Sequence, residues 1–351
     1  MAEVAGSICH SLICPDEVIY PAVGDKPSLA RRRSLVELGN LQSSWRPLAL
    51  LAVVLAVILF VYPMALGIPL LDPDEGLHAA VAQEMVEKGD WVIPHFLGEP
   101  FLDKPILYFW AEAFSLRLFG MHEAAVRFAG LMFGLLGAVT TGIVGWRMFG
   151  RGVGLVAGMF YATTILPTAL AQAAAHDVAL IPWINLSLLL FWESDRAQSG
   201  RRAWLCAMGI GVLLGLTILT KGLVGVALVG ISYGCYLLAT RRLGAATCLR
   251  GAATLVIAAM VAATWYLAVE ARSPGYLYYY VVERHLLGYA TDTQTHGGKP
   301  WWFYLPIILG GGLPWIGYLP VVIRDGWSRW RSGGERTASN GAMVLLWCWL
   351  I

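Results

Sequence analysis

The sequence predicts an all-α, polytopic transmembrane helical bundle with interfacial helices in its first external loop. Three observations carry this. The chain is 58% hydrophobic and 14% charged, against about 25% charged in a soluble globular chain. Apolar runs of membrane-spanning length recur along it. Lys and Arg gather in alternate connections, so a cytoplasmic N-terminus satisfies the positive-inside rule through successive crossings. The net charge of +2 offers no strongly basic face, which argues against nucleic acid as a partner.

Taken in order, residues 1–46 are polar and without periodicity, and read as a disordered cytoplasmic tail. The first apolar run, 47–66, follows too long a tail for a cleavable signal and reads as an uncleaved anchor. It opens a membrane domain over 47–351, with further spans expected at 124–146, 152–173, 178–192, 203–220, 223–240, 251–271 and 301–323. A last run at 341–351 stops unfinished, so the chain reads as the N-terminal part of something longer. The six cysteines avoid the segments placed outside, so no disulfide framework is implied. Cys9, His10 and Cys14 make an incomplete metal set.

Two external loops stand out, about 67–123 and 272–300, and function is sought there because the cytoplasmic connections are short and basic. Within the first, Leu77, Val81 and Met85 recur at helical spacing over 74–88, and ILYFWAEAFSLRLF (106–119) is apolar but too short to span. Both are expected as interfacial helices.

The stretch LLDPDEGLHAAVAQEM, 70–85, has an ordinary explanation: Asp72 caps a helix, Pro73 opens it, and Glu75 completes a capping box. Asp74 is less constrained and is a candidate proton acceptor. In FLDKPILYFW, Asp103 can cap the next helix while Lys104 snorkels. Alternatively, Lys104 is a cation held where a lipid phosphate lies. His176-Asp177 forms an external turn, and Lys221-Gly222 makes an ordinary helix stop. Each also places charge at the membrane face. The second loop carries Arg284, His285, His296 and Lys299 among aromatics that read as an interfacial belt. Lys104, Arg284 and Lys299, from separate segments, could converge on one phosphate.

Cations near carboxylates at an outer membrane face suit a polyprenyl phosphate sugar as donor. The phosphate gains a second negative charge as the sugar leaves, so cations stabilise the transition state more than the ground state. One base opposite one clamp implies direct displacement with inversion. The alternative is a transporter or flippase for lipid-linked or anionic solutes. It would place charges on broken helices near the midplane in two related halves. Here the ionisable residues sit at helix ends, and no repeat is visible.

At these residues the chain resembles the C-type membrane glycosyltransferases, specifically the protein O-mannosyltransferase family and the related bacterial aminoarabinose transferases acting on lipid A. The motifs are DPDEGLHAAVAQEM, GDWVIPHFLGEPFLDKPILYFW, the HD turn, LTKG at 219–222, and ERHLLGYATDTQTHGGKPWWFYLPIILGGGLPW. They run in family order from about residue 47 to the end.

The resemblance implies an inner-membrane enzyme with an external active site and a lipid-linked sugar donor. The acceptor would be a protein, lipid A or a glycan. It implies Asp74, Glu75 and Asp177 as catalytic carboxylates, with Asp74 the base. Lys104, Arg284, Lys299 and Lys221 fall to the donor phosphate, and Tyr108, His176 and His296 to substrate contact. Asp103 and His285 mark a position open to a divalent metal. Two departures stand out: Leu77 replaces the Arg that members often carry, and Gly288 stands at the Arg of the pattern EHxxR. Members are longer, continuing through more spans.

Overall fold

The computed structural model describes residues 69–70, 74–287, 300–331 and 338–350. The expectations for the tail 1–46, the run 47–66, the Asp72 cap, His296 and Lys299 fall outside the described residues, as do the side chains of Asp74 and His285.

The first of the two loops expected outside folds as two helices, α1 (Asp74–Lys88) and α2 (Leu107–Phe119), close to the expected ranges. Between them lies a hairpin that periodicity did not reveal, β1 (His95–Phe96) against β2 (Glu99–Pro100). Leu97 and Gly98 both take positive φ, which a two-residue hairpin turn requires. The Glu84 carboxylate on α1 accepts from Gly98 N–H at 3.1 Å and pairs with Lys88 at 2.9 Å, pinning the turn to the helix. α2 begins at Leu107, so Asp103 lies ahead of it and does not cap it.

The membrane part comprises α3 (Glu123–Phe149), α4 (Arg151–Thr163), α5 (Ile165–Gln172), α6 (His176–Asp195), α7 (Gly200–Lys221), α8 (Val224–Ala239) and α9 (Ala245–Arg272). A helical turn, Tyr276–Tyr278, runs on into a π-helix, Tyr279–Leu287. α10 (Tyr304–Gly311), α11 (Leu319–Arg331) and α12 (Ala338–Leu350) follow. Among the described residues α3, α7 and α9 are each long and apolar enough to cross a membrane, and counting each bent pair as one span raises the number to 5.

Two expected spans, 152–173 and 301–323, are not continuous. α4 and α5 meet at 58°, and the pair from Tyr304 to Gly326 is bent by 100°. Thr164 is extended at the first break, and the run Gly310-Gly311-Gly312-Leu313-Pro314 interrupts the second. Glycine lacks a side chain to hold a helix, and proline lacks the N–H to continue one. Inside a membrane the freed backbone groups need protein partners. The breaks supply each other: Ile165 N–H donates to Leu313 O at 3.0 Å, and Trp315 Nε1–H to Thr163 Oγ1 at 2.8 Å. Trp315 also stacks on Phe160 at 4.0 Å.

Small residues set how closely the helices approach. A Cβ on Gly154 of α4 would stand 2.6 Å from Gly142 O of α3, and one on Gly215 of α7 would meet Val261 of α9 at 2.5 Å. Backbones packed this closely replace the hydrophobic driving force that lipid removes. The charges separate to the two ends of α6. Near Asp195, Arg147 and Arg202 pair with Glu193, and Arg242 with Asp195. At the other end Asp177 pairs with Lys221.

Helices α1 and α2 share a core with α9. Val81, Ala82 and Met85 of α1, Ile106 ahead of α2, and Phe109 and Ala113 of α2 share a core with Trp265 and Val269. Trp265 Nε1–H donates to Val92 O at 2.8 Å. Arg272 grips Asp90 through two N–H bonds of 2.8 and 2.7 Å, while Asp90 Oδ1 also accepts from Val92 and Ile93 N–H.

Burial pushes the Asp90 carboxyl up, but Arg272 and the two backbone donors outweigh it and hold it at about 2, against an ordinary 3.8. A depressed carboxyl stabilises the docked loop above the ordinary value, and that contribution is lost as pH falls through about 2. Asp90→Asn is therefore expected to loosen the loop at neutral pH as acid loosens the parent. Protease nicking between α1 and α2 measures this, and unchanged nicking would remove Asp90 from the anchoring role.

Candidate functional site

The site begins where α1 leaves the membrane domain. Arg127 on α3 donates from Nε to Glu75 Oε1 at 2.8 Å and from Nη2 to Oε2 at 2.9 Å, and also reaches Pro69 O at 3.1 Å. The Arg127 and Glu75 side chains are only 7% and 3% exposed. A planar guanidinium matches both carboxylate oxygens at once. Glu75 was expected as a catalytic carboxylate; its geometry instead makes it an anchor, enclosed and held by an arginine. Its neighbour Asp74 opens α1 at the anchored turn.

The second cluster joins residues far apart in sequence. Asp103 accepts from Arg284 Nη2 at 2.6 Å on one oxygen, and its other oxygen lies 3.1 Å from Lys104 Nζ. Arg284 rides on the π-helix, whose base is an aromatic stack. Tyr266 faces Tyr276 and Tyr280 at 5.9 and 5.2 Å, and Trp265 faces Tyr276 at 5.8 Å. Glu270 caps the turn beneath, accepting from Gly275 N–H at 2.9 Å and Leu277 N–H at 2.8 Å. Of the metal expectation at Asp103 and His285, the His285 side chain lies outside the described residues. Asp103 is shared by two cations, and among the described residues no three His, Cys, Asp or Glu groups converge to hold an ion.

Asp177, at the start of α6, and Lys221, at the end of α7, form a third pair. Gly222 follows at φ +82°, the left-handed stop the sequence suggested. Asp177 is held out by a strained turn: Ala174 takes φ +44°, and His78 of α1 donates from Nδ1 to its carbonyl at 3.1 Å. Lys221 was expected at the donor phosphate, and here its partner is this carboxylate.

Tyr108 and His176, expected to touch substrate, are enclosed. Tyr108 has no exposed surface and His176 is 2% exposed. Their rings lie 4.5 Å apart, with Phe109 at 4.9 Å and His78 at 4.5 Å from His176. Apolar burial of α2 and α6 against each other outweighs their polar tips, so they back the site without lining it.

Sequence reading missed Arg127, His78 and Glu112. Arg127 lies in an expected span, and a lone arginine in an apolar run signals a buried carboxylate partner. His78 follows Glu75 by one helical turn, which places both on one face. Removing Arg127 strands an ionised carboxylate, and such losses cost about 3–5 kcal/mol. Arg127→Met should therefore lower thermal stability of the detergent-solubilised protein more than the double change Glu75→Gln with Arg127→Met. Equal losses would show the pair to be dispensable.

A family model described as Dolichyl-phosphate-mannose-protein mannosyltransferase matches residues 103–267. The Undecaprenyl phosphate-alpha-4-amino-4-deoxy-L-arabinose arabinosyl transferase of Edwardsiella ictaluri is 32% identical over 80% of this chain and 51% of its own. That of Aeromonas salmonicida is 35% identical over 81% of this chain and 50% of its own. The chain spans about half the length of the curated relatives it matches. Among solved structures, ArnT from Cupriavidus metallidurans bound to undecaprenyl phosphate aligns with TM-score 0.74 at 25% identity, over 86% of this chain and 53% of that one. Its apo state aligns with TM-score 0.72 at 23% identity, over 88% of this chain and 54% of that one.

Proposed function

We propose, from the premise that the chain resembles the aminoarabinose transferases in sequence and shares their all-α membrane fold, that it transfers a sugar from a polyprenyl phosphate to an acceptor at the external face of the membrane. The chain is an integral membrane protein; the inner membrane, with the N-terminus cytoplasmic, is the proposed location. Undecaprenyl phosphate is the carrier and an aminopentose the sugar that the relatives' names favour, and the acceptor is a protein, lipid A or another glycan.

The observation that carries the reading is the meeting of Lys104 and Arg284 on Asp103. Two cations from separate segments meet at one carboxylate there, and such a basic pair suits the oxygens of a phosphodiester. All three side chains are about a third exposed or less, at 29%, 31% and 27%, so they are shielded yet reachable.

In the proposed step the acceptor oxygen attacks the anomeric carbon and its proton passes to the Asp74 carboxylate. The bond from that carbon to the phosphate oxygen breaks, and its electrons leave with the lipid phosphate. That phosphate gains negative charge as the bond breaks, when the Lys104 and Arg284 cations count most. Inversion at carbon follows from a single displacement.

In the full-length protein Asp74→Asn is expected to cut transfer by about 10²–10⁴-fold, the usual contribution of a positioned base, while donor binding persists. Lys104→Ala is expected to weaken donor binding and slow transfer together. Radiolabelled sugar on defined polyprenyl phosphates, counted in the lipid and protein fractions, measures both and identifies the acceptor class. Normal turnover in the Asp74 variant would sink the base assignment.

A further inference from the structure

Two polar side chains of α2 remain unaccounted for by the proposed reaction. Glu112 has no exposed surface, and neither carboxyl oxygen has a hydrogen-bond partner among the described residues. Tyr108, one turn earlier, is equally enclosed, and its hydroxyl is likewise unpartnered among them. Buried polar groups are ordinarily bonded, so such exceptions call for a reason.

The level of Glu112 against α3 follows from contacts on either side of it. Ser115 Oγ–H donates to Ala125 O at 2.6 Å. The Tyr108 hydroxyl lies beside Gly130, where an added Cβ would meet it at 3.1 Å. α2 and α3 therefore run antiparallel here, and Glu112, between Tyr108 and Ser115, comes level with Arg127. Yet Arg127 directs Nε and Nη2 to Glu75. One guanidinium serves a closed region that contains two carboxyl groups. Were both ionised, a negative charge would be left uncompensated away from water.

Burial first, and then the Glu75 charge, push the Glu112 carboxyl well above the usual range. Among the titratable and charged groups on α1, α3, α6 and α7, the helices around α2, Glu75 is the one whose charge bears on Glu112, and Tyr108 of α2 itself adjoins both carboxyls. Lys221 is paired with Asp177, and His78 donates to Ala174 O.

We propose that Glu112 is a positioning residue that stays protonated while the protein works, and that its neutrality keeps Arg127 on Glu75 and the first turn of α1 in place. The consequence for Asp74 rests on the transferase reading; the protonation itself does not. A carboxyl whose folded-state value is raised destabilises the fold progressively as pH rises from the ordinary carboxyl value through the raised one. Ionised Glu112 would then push against Glu75 and loosen the turn that presents Asp74.

The test compares wild type with Glu112→Gln, which keeps the shape and the neutrality, in the full-length protein in lipid nanodiscs. Transfer rate against pH should show an alkaline loss in wild type that the Gln variant lacks or shows at least one pH unit higher, about a tenfold difference in rate at the wild-type limb. The change should fall on kcat, with donor KM unmoved. Superimposed profiles would overturn the proposal.

If no donor supports transfer, so that the reaction itself is misassigned, thermal unfolding against pH still decides. Stability of wild type should fall more steeply into the alkaline range than that of Glu112→Gln, and parallel curves would count against the proposal. If the Gln variant does not fold, infrared spectra replace it. A protonated-carboxyl carbonyl band in wild type at neutral pH, displaced in Glu112→Asp, supports the assignment, and its absence from wild type refutes it.

Discussion

A guanidinium inside a membrane helix is tolerable only when a carboxylate meets it, and Arg127 of α3 finds that carboxylate in Glu75. The requirement works in both directions. Arg127 keeps its charge out of lipid, and in exchange the first turn of α1 is fixed to a spanning helix. From that turn, His78 reaches Ala174 O and shapes the loop that presents Asp177, while Val81 and Met85, further along α1, share a core with Trp265 and Val269 of α9. The frame of the external site thus descends from one enclosed ion pair. Pairs of this kind add little net stability, because desolvation offsets attraction. What they supply is position.

The same demand for satisfied polar groups explains the broken helices. A chain that interrupts a helix among lipids must return its backbone groups to protein, and the breaks near Thr164 and Leu313 do this by bonding to one another. Close packing at Gly142 and Gly154, and at Gly215 against Val261, holds the surrounding helices tightly enough for such contacts to persist.

How far the sequence disclosed this depends on what each signal depends on. Apolar length is a local property, and it placed the long helices α3, α7 and α9 well. So did the period of Leu77, Val81 and Met85, which marked α1. The kinks did not show, because a break at Thr164 is decided by what packs against it. Lys104, Arg284, Asp177 and Lys221 were legible as charges at a membrane face, whereas their pairings, Lys104 and Arg284 through Asp103 and Asp177 with Lys221, belong to tertiary structure. Glu75 looked like half of an acidic pair poised for catalysis. Its partner lay 52 residues away within an apolar run, so nothing local distinguished an anchor from a base. Tyr108 and His176 were misread for a related reason: residue type announces a polar tip, but burial decides whether it faces a substrate.

The two carboxylate clusters differ in a way that bears on the proposed chemistry. Glu75 has one arginine, is closed to water, and balances its charge. Asp103 has two cations and is partly open. Lys104 and Arg284 alone would repel each other, and holding them together at an empty site would be unfavourable. A carboxylate between them offsets that repulsion before any donor arrives, so the positive pole is assembled in advance. In the proposed reaction a phosphodiester would meet a field already in place, and the charge it gains on releasing the sugar would be stabilised without moving either cation. An aspartate that only neutralised one cation would leave the second to be ordered by the substrate. One that bridges both makes the order a property of the protein.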